Sequence, residues 1–268
     1  ASDRLVLEEI KRELTDLKES YGDKRRTEIM PEMADISIED LIADESMVIT
    51  VTRTGYVKRS PLTLYRSQNR GGRGRTGMGT KDDDFVEHLY VATAHSYILV
   101  FTESGRVHWL KVHEIPEAGP AARGKAIVNL LELEANERLA TTVAVRTFPE
   151  DRFLLFATEK GTVKKTELSA YANPRVGGII GINIDADQGD RLLSVRETDG
   201  KKDILLATAK GFSIRFPGSD VRSTGRATYG VNGIELREGD RVVGMEELDR
   251  SGQVLTVTAR GYGKRTPL

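Results

Sequence analysis

Short apolar, β-branched runs recur along the chain, and each is followed by a polar turn. Five of these runs end in the pattern Thr-x-x-Gly, and a second strand-like segment leaves each glycine. The glycines are separated by 50, 56, 50 and 50 residues, and they are Gly55, Gly105, Gly161, Gly211 and Gly261. Because glycine readily adopts the positive φ of a tight turn, each unit is predicted to begin with a β-hairpin.

The rest of each unit also follows a pattern. A second glycine lies 19 residues after the repeat glycine at Gly74, Gly124 and Gly230, whereas the third unit offers Gly177 and Gly178. A short apolar run and an acidic turn complete the unit. A period near 50 residues with about four short strands predicts an all-β fold of stacked, propeller-like blades, because one small sheet cannot bury both of its faces. This domain is assigned to residues 47–268, as four repeats and a truncated fifth.

The chain before residue 47 has a different pattern. Apolar residues spaced by three and four predict a short amphipathic helix with a coiled-coil-like seam; they are Leu7, Ile10, Leu14, Leu17 and Tyr21. Residues 1–30 are assigned to this helical segment. Residues 31–46 contain six acidic residues and no basic one, which is typical of a linker or docking segment.

Composition and charge narrow the classes of function. The 268 residues include no cysteine, which excludes disulfides and thiolate metal sites and favours a cytoplasmic location. The sequence shows no signal peptide and no apolar run near the roughly 20 residues of a membrane span, so no membrane partner is expected. The net charge of −1 argues against a uniformly basic nucleic-acid binder. The charge is uneven, however, because residues 53–81 contain eight basic residues and no acidic one.

Basic residues recur three and four positions after the repeat glycines. These positions hold Lys58–Arg59, His108–Trp109, Lys164–Lys165, Ile214–Arg215 and Lys264–Arg265. One interpretation is a solvated outer strand, where lysine and arginine protect exposed edges from aggregation. The other is a basic stripe around the rim that DNA or RNA could follow. Recurrence on the same strand of successive units supports the stripe.

The segment QNRGGRG, at residues 68–74, concentrates arginine and glycine. Guanidinium groups form strong, geometrically matched hydrogen bonds with phosphate oxygens. Glycines let the backbone N–H groups approach a phosphate closely. Neither residue type reads base edges from such a loop, so binding without sequence preference is predicted. Bending even a short duplex costs on the order of 1–6 kcal/mol, so further contacts around the rim are needed to hold a wrap.

This segment, the repeats and the stretch IEDLIADESMVITVTRTGYVKRSPLTLYR resemble the C-terminal region of DNA gyrase A subunits over nearly the whole chain. The segment is similar to the GyrA box of that family, usually Gln, basic, Arg, Gly, Gly, basic, Gly. Residues 68–74 are called the box below. Its matching residues are Gln68, Arg70, Gly71, Gly72, Arg73 and Gly74, while Asn69 replaces the usual cation.

The resemblance implies a six-bladed β-pinwheel with strands exchanged between blades and a basic rim that wraps double-stranded DNA. It implies a part in ATP-dependent negative supercoiling by a type IIA topoisomerase, with the rest of the A subunit and the B subunit as partners in an A2B2 assembly. Residues 1–30 would end the breakage-reunion domain, and the catalytic tyrosine would lie outside this chain. The predicted DNA contacts are Gln68, Arg70, Gly71, Gly72, Arg73, Gly74, Arg75, Lys58, Arg59, Arg66, Lys164, Lys165, Arg215, Lys264 and Arg265.

Other chemistries fit the sequence poorly. Gly72-x-Gly74-x-x-Gly77 matches a dinucleotide fingerprint, but no parallel strand or crossover helix surrounds it. Residues 185–190 hint at a calcium loop but lack its glutamate, so an acidic turn is predicted. The chain is therefore expected to have no catalytic residue, metal or cofactor. Two alternatives stay open, namely a topoisomerase IV-type DNA-binding module and a propeller-like protein-interaction platform, which the acidic turns would suit.

Overall fold

The computed structural model describes residues 3–24, 26–27, 38–65, 69, 72, 74, 76–81, 83–134, 137–249 and 252–268. The chain divides into two compact units, Ala1–Leu41 and Ile42–Leu268. The first unit contains the predicted helix, α1 (Asp3–Tyr21), which has no buried residue, and a 3-10 turn at Ile38–Leu41. Residues 31–37, which include the acidic Glu32 and Asp35 of the predicted linker, lie outside the described residues. The predicted domain limits at residues 31 and 47 stay predictions.

The second unit consists of antiparallel β-structure. Its strands are β1 (Ser46–Thr52), β2 (Tyr56–Pro61), β3 (Val86–Thr93), β4 (Tyr97–Thr102), β5 (Arg106–Lys111), β6 (Lys125–Ala126), β7 (Leu139–Val145), β8 (Phe153–Thr158), β9 (Thr162–Glu167), β10 (Ile179–Ile180), β11 (Leu192–Thr198), β12 (Asp203–Thr208), β13 (Ser213–Pro217), β14 (Val231–Asn232), β15 (Val242–Leu248), β16 (Gln253–Val257) and β17 (Gly263–Pro267). The five predicted hairpins are confirmed as β1–β2, β4–β5, β8–β9, β12–β13 and β16–β17.

Both residues of the Thr-x-x-Gly pattern shape the hairpin turn. In the first hairpin, Gly55 has a φ of 84° and donates its N–H to the Thr52 carbonyl at 2.9 Å. The Thr52 hydroxyl accepts the N–H of Tyr56 at 3.1 Å. The same threonine bond recurs in the other four hairpins, through Thr102, Thr158, Thr208 and Thr258. The threonine column therefore exists because its hydroxyl satisfies a backbone donor that the turn leaves unpaired.

The acidic turns have a structural role. The Asp190 carboxylate accepts the N–H groups of Lys160 and of Arg191, both at 2.9 Å. Equivalent bonds, over the same separation of 30 residues, join Thr54 to Asp84 and Lys210 to Asp240. Each carboxylate thus caps the hairpin turn of its own repeat. This engagement weakens the idea that these carboxylates form a platform for a protein partner.

Neighbouring repeats exchange a strand, as the resemblance implied. The first three sheets have the orders β3-β1-β2-β6, β10-β5-β4-β7 and β11-β8-β9-β14. In each, the two-residue outer strand comes from the following repeat; β6, for example, pairs Ala126 with Tyr56 and Lys125 with Val57. The fourth sheet has the order β13-β12-β15, and β16 pairs with β17. Exchange therefore joins a blade to the sheet before it through backbone pairing.

The core lies between adjacent blades. Phe101 of the second repeat meets Phe156 of the third edge to face, with ring centroids 5.6 Å apart, and both are fully buried. Tyr171 packs on Phe156 from the loop after β9. Burying such a side chain contributes about 1.5–3 kcal/mol, and most of it is gained only when two blades stack. The blades therefore support one another and present their loops at fixed positions.

Candidate nucleic-acid interface

The box lies in the segment that connects β2 to β3. Of its residues the structure describes Asn69, Gly72 and Gly74, and the Gly72 N–H donates to the Asn69 carbonyl at 3.0 Å. Gly74 has a φ of 68°, and a Cβ there would meet no heavy atom within 4 Å. Glycine adopts this positive φ readily, and the space where a side chain would begin is unfilled. The other predicted contacts of this segment lie outside the described residues, and they are Arg66, Gln68, Arg70, Gly71, Arg73 and Arg75.

Residues 76–81 carry the chain from the box onto the second repeat. Met78 is buried, and the Gly79 N–H donates to the Ala122 carbonyl at 3.3 Å. A Cβ on Gly79 would lie only 2.5 Å from the Ala121 carbonyl oxygen, whereas a Cβ on Gly77 would meet nothing within 4 Å. The return segment is therefore seated closely on the loop of the second repeat, which fixes one end of the box. This anchor was not predicted from the sequence.

The prediction that Lys58 and Lys164 line an exposed stripe is wrong. Both side chains are buried, at 0% and 1% exposure. The Lys58 ammonium donates to the carbonyls of Gly119 at 2.9 Å and Pro120 at 2.6 Å. The Lys164 ammonium donates to the carbonyl of Gly181 at 2.6 Å and to a second carbonyl, that of residue 226. Burial lowers the pKa of Lys58 and lowers the pKa of Lys164 to about 8.

The neighbouring column is also engaged with the next repeat. The Arg59 Nε donates to the Ile115 carbonyl at 2.7 Å, and the buried Lys165 donates to the Gly218 carbonyl at 2.8 Å. In the same column, the Trp109 indole N–H donates to a carbonyl after β9, that of Tyr171, at 2.9 Å. Arg59 and Lys165 therefore hold the chain of the following blade. The interpretation of the buried Lys165 as a rim contact for DNA is therefore wrong, whereas Arg59, whose side chain is 18% exposed and lies 3.6 Å from the Glu117 carboxylate, stays a predicted contact.

Elementary strand geometry explains the error. Successive side chains on a strand point to opposite faces, so Lys58 and Arg59 cannot both line one surface. Each instead finds carbonyl groups that the exchanged chain brings to its own face. The recurrence was real, but it reports contacts between repeats rather than contacts with a ligand. The alternation within each basic pair is a sequence signal that could have revealed this.

The remaining predicted cations lie at the surface. Two nitrogens of Arg215 contact one carboxylate oxygen of Asp203 on the facing strand, Nε at 2.8 Å and a terminal nitrogen at 2.7 Å. Lys264 and Arg265 lie on β17, whose residues are all exposed. These last two side chains stay candidates for phosphate binding. Arg215 has one carboxylate partner that a phosphate would have to displace.

His108 occupies the position that Lys58 and Lys164 hold in their repeats. Its ring is buried, and neither ring nitrogen has a hydrogen-bond partner among the described residues. Gly178 packs directly on it, since a Cβ there would lie 2.6 Å from the ring. Burial lowers the pKa of His108, although the Glu137 carboxylate 3.9 Å away opposes that shift. The blade contact at this repeat is thus made by ring packing rather than by an ammonium.

The loops before the exchanged strands are here called exchange loops, and they span residues 116–124, 172–178 and 222–230. They occupy the same place in their repeats as the box does in the first. Arg123 precedes Gly124 as Arg73 precedes Gly74, and Arg226 lies four residues before Gly230 as Arg70 lies before Gly74. Arg123 is exposed and Arg226 is half-buried. Sequence reasoning missed both, although counting back from the second glycine of each repeat would have found them.

Two classes of site have no representative in the part of the chain that the structure describes. No group of three or more His, Asp or Glu side chains there is arranged to hold a metal ion. No helix among those residues is long and apolar enough to cross a membrane.

The sequence matches the family model of the DNA gyrase C-terminal domain, beta-propeller, over residues 46–93, 96–146, 152–199, 202–248 and 252–268. These five segments coincide with the five repeats. The chain belongs to this family. The predicted β-pinwheel architecture of a gyrase C-terminal domain is thereby confirmed.

Curated relatives of this gyrase C-terminal domain are DNA gyrase A subunits. The chain is 47% identical over 233 residues to that of Clostridium acetobutylicum, which covers 87% of this chain and 28% of the relative. It is 46% identical over 236 residues to that of Salmonella typhimurium, which covers 88% of this chain and 26% of the relative. The chain thus spans about a quarter of the length of the relatives it matches.

Two solved structures share its fold. The C-terminal domain of DNA topoisomerase IV superposes with a TM-score of 0.70 at 30% identity, covering 85% of this chain and 69% of that one. The DNA gyrase A C-terminal domain superposes with a TM-score of 0.66 at 26% identity, covering 82% of this chain and 71% of that one. The fold therefore does not separate the two classes, whereas the sequence relatives above are gyrase subunits.

Proposed function

We propose that this gyrase C-terminal domain binds double-stranded DNA without sequence preference and wraps it. The observation that carries the proposal is the arginine- and glycine-rich box at residues 68–74, in a chain 47% identical to a DNA gyrase A subunit. Arginines there bond phosphate oxygens, and the glycines let the backbone approach them. Arg70 and Arg73 are the central contacts, with Gln68, Arg66 and Arg75 beside them.

The path away from the box runs over surface cations. Arg123 and Arg226 on the exchange loops, and Lys264 and Arg265 on β17, supply charges that continue the contact around the domain. A single anchor is insufficient because bending a short duplex costs on the order of 1–6 kcal/mol, which further contacts must offset. The buried lysines act indirectly, by fixing the exchange loops on which the arginines stand.

The wider role proposed is that of a non-catalytic part of DNA gyrase, an ATP-dependent type IIA topoisomerase that introduces negative supercoils. The partners would be the rest of the A subunit and the B subunit in an A2B2 assembly in the cytoplasm. The DNA-cleaving tyrosine would lie in the preceding part of the A subunit. The chain itself is expected to need no cofactor.

The test measures the shape of bound DNA. Nicked circular DNA is sealed with ligase in the presence of the protein, the protein is removed, and the linking number is measured. A positive wrap raises the linking number with the parent chain, and Arg70→Ala with Arg73→Ala reduces that shift much more than it reduces affinity. The reason is that other cations still attract the duplex, while the bending energy is no longer offset at the box.

Comparison at matched occupancy decides the outcome. An equal linking-number shift for parent and variant would show that the box is an ordinary basic loop, and it would contradict the proposal. The second candidate, a topoisomerase IV-type module that binds DNA without a strong wrap, is favoured by the superposition on that enzyme's domain. This candidate predicts DNA binding that weakens as salt rises. It also predicts that neither the parent nor the variant changes the linking number of the sealed DNA.

A further inference from the structure

Three arginines converge on a pocket of about 410 Å³ formed by the second, third and fourth repeats. Arg106 begins β5, Arg175 lies in the exchange loop of the third repeat, and Arg226 lies in that of the fourth. The remaining lining is backbone, glycine, alanine and isoleucine, and no carboxylate lines the pocket. Convergent like charges in a pocket whose lining contains no carboxylate favour an anionic ligand.

Two of these charges are not neutralised by the protein. Arg106 donates to the Gly177 carbonyl at 2.5 Å, and it lies 3.4 Å from the Glu134 carboxylate and 3.9 Å from the Glu137 carboxylate. Arg175 and Arg226 form no ion pair among the residues that the structure describes. Both guanidinium groups therefore keep their donors for a ligand, while Arg106 adds charge from a fixed position.

The loop that carries Arg226 is held rigidly. The backbone carbonyl of Arg226 accepts a hydrogen bond from the buried Lys164 ammonium. The Thr228 hydroxyl donates to the Gly225 carbonyl at 2.7 Å, and the Asn183 amide donates to the Ala227 carbonyl at 3.1 Å. A loop fixed in advance loses little conformational entropy when it binds.

The position of Arg226 gives an independent argument. Arg226 lies four residues before Gly230, as Arg70 of the box lies four residues before Gly74. The fourth repeat thus offers an arginine where the first repeat offers its proposed principal contact. Arg175 comes from the shorter loop of the adjacent repeat and faces the same pocket.

We propose that Arg175 and Arg226, with Arg106 beside them, form a second anchor that binds a phosphate group of duplex DNA away from the box. This inference rests on the proposed function and specifies where the wrapped path is held after it leaves the first repeat. The ligand is a backbone phosphodiester, so no base preference is expected.

The experiment measures duplex affinity as a function of salt concentration. Each phosphate neutralised contributes roughly 0.9 to the slope of log K against log salt. Arg175→Gln with Arg226→Gln should therefore lower the slope by about 1. Lys201→Gln with Arg260→Gln removes the same charge at two other exposed sites and should leave the slope near that of the parent. Arg175→Lys with Arg226→Lys keeps both charges and should retain most of the slope.

Thermal unfolding establishes that each variant is folded, and single substitutions replace the double one if it is not. A slope equal to that of the Lys201/Arg260 control overturns the second anchor. If competition by inorganic phosphate weakens in the Gln variant while the duplex slope does not change, the pocket takes a free anion and the DNA assignment is equally overturned. Arg70→Ala with Arg73→Ala is measured in parallel; if that variant also leaves the slope unchanged, the failure lies in the proposed function.

Discussion

Buried ammonium groups join one blade of this domain to the next. Lys58 places its charge beside two carbonyls of the second repeat, and Lys164 bonds carbonyls of its own and the following repeat. Hydrogen bonds from a charged donor are about twice as strong as neutral ones, which compensates part of the cost of burying the ammonium. These two lysines, which were predicted to contact DNA, therefore connect neighbouring repeats instead.

The pKa of Lys164 makes this connection testable by pH. Burial, with a smaller contribution from Arg226, lowers the pKa to about 8 from an ordinary 10.5. Between these values the unfolded chain binds a proton that the folded chain has lost, so the free energy of unfolding should rise with pH. The gain is at most about 3 kcal/mol, from the size of the shift at about 1.4 kcal/mol per unit.

Lys164→Met supplies the control for this prediction. The free energy of unfolding is measured in urea for the parent and the variant from pH 7 to pH 10.5. In the difference between the two free energies, the titration of all other groups cancels. The parent should gain stability relative to the variant across this window. A difference that stays flat with pH would mean that the ammonium keeps its ordinary pKa despite its burial.

At the scale of elements, the predictable and the unpredictable parts of the fold separate clearly. The hairpins were predictable because Thr52 and Gly55 act within one turn, where spacing along the chain determines the contact. Strand exchange joins β2 to β6, whose residues are far apart in sequence, so no local pattern specifies it. For the same reason the contact between Gly79 and the loop at Ala121 was missed. The box itself was recognised from its residues and their resemblance to a family.

The contact of Gly79 leads to a prediction about the segment that anchors the box. Gly79→Ala places a methyl group 2.5 Å from the Ala121 carbonyl oxygen, so the segment must move. We expect it to lower the free energy of unfolding by about 1–3 kcal/mol, the range for overpacking a tight contact. It should also reduce the linking-number shift, because the box loses its fixed end. Gly77→Ala, with open space around its Cβ, should leave both measurements near those of the parent.

A linking-number shift equal to that of the parent in both alanine variants, at matched occupancy, would show that the box does not depend on this seat. An equal loss in both would point to backbone flexibility at these glycines as the relevant property. The comparison is sharp because the two positions lie two residues apart and differ in the space around them.

At the scale of the whole molecule, the two units differ in the contacts proposed for them. The helix α1 exposes its apolar seam at Leu7, Ile10 and Leu14, and its charged residues are of both signs. The proposed phosphate contacts all belong to the second unit. Apolar seams of this kind are typical of protein contacts, and mixed charges give little attraction for a polyanion.

Deleting residues 1–30 should therefore leave DNA binding almost unchanged. The expected result is a dissociation constant within about twofold of the parent and the same slope of log K against log salt, because that slope counts neutralised phosphates. The helical signal in circular dichroism should fall, while the hairpin and interblade contacts that support the exchange loops persist. The control is the Arg70→Ala, Arg73→Ala variant in both backgrounds, which should reduce the linking-number shift equally. A lower salt slope on deletion would place phosphate contacts on the helix and require the DNA path to begin before the first blade.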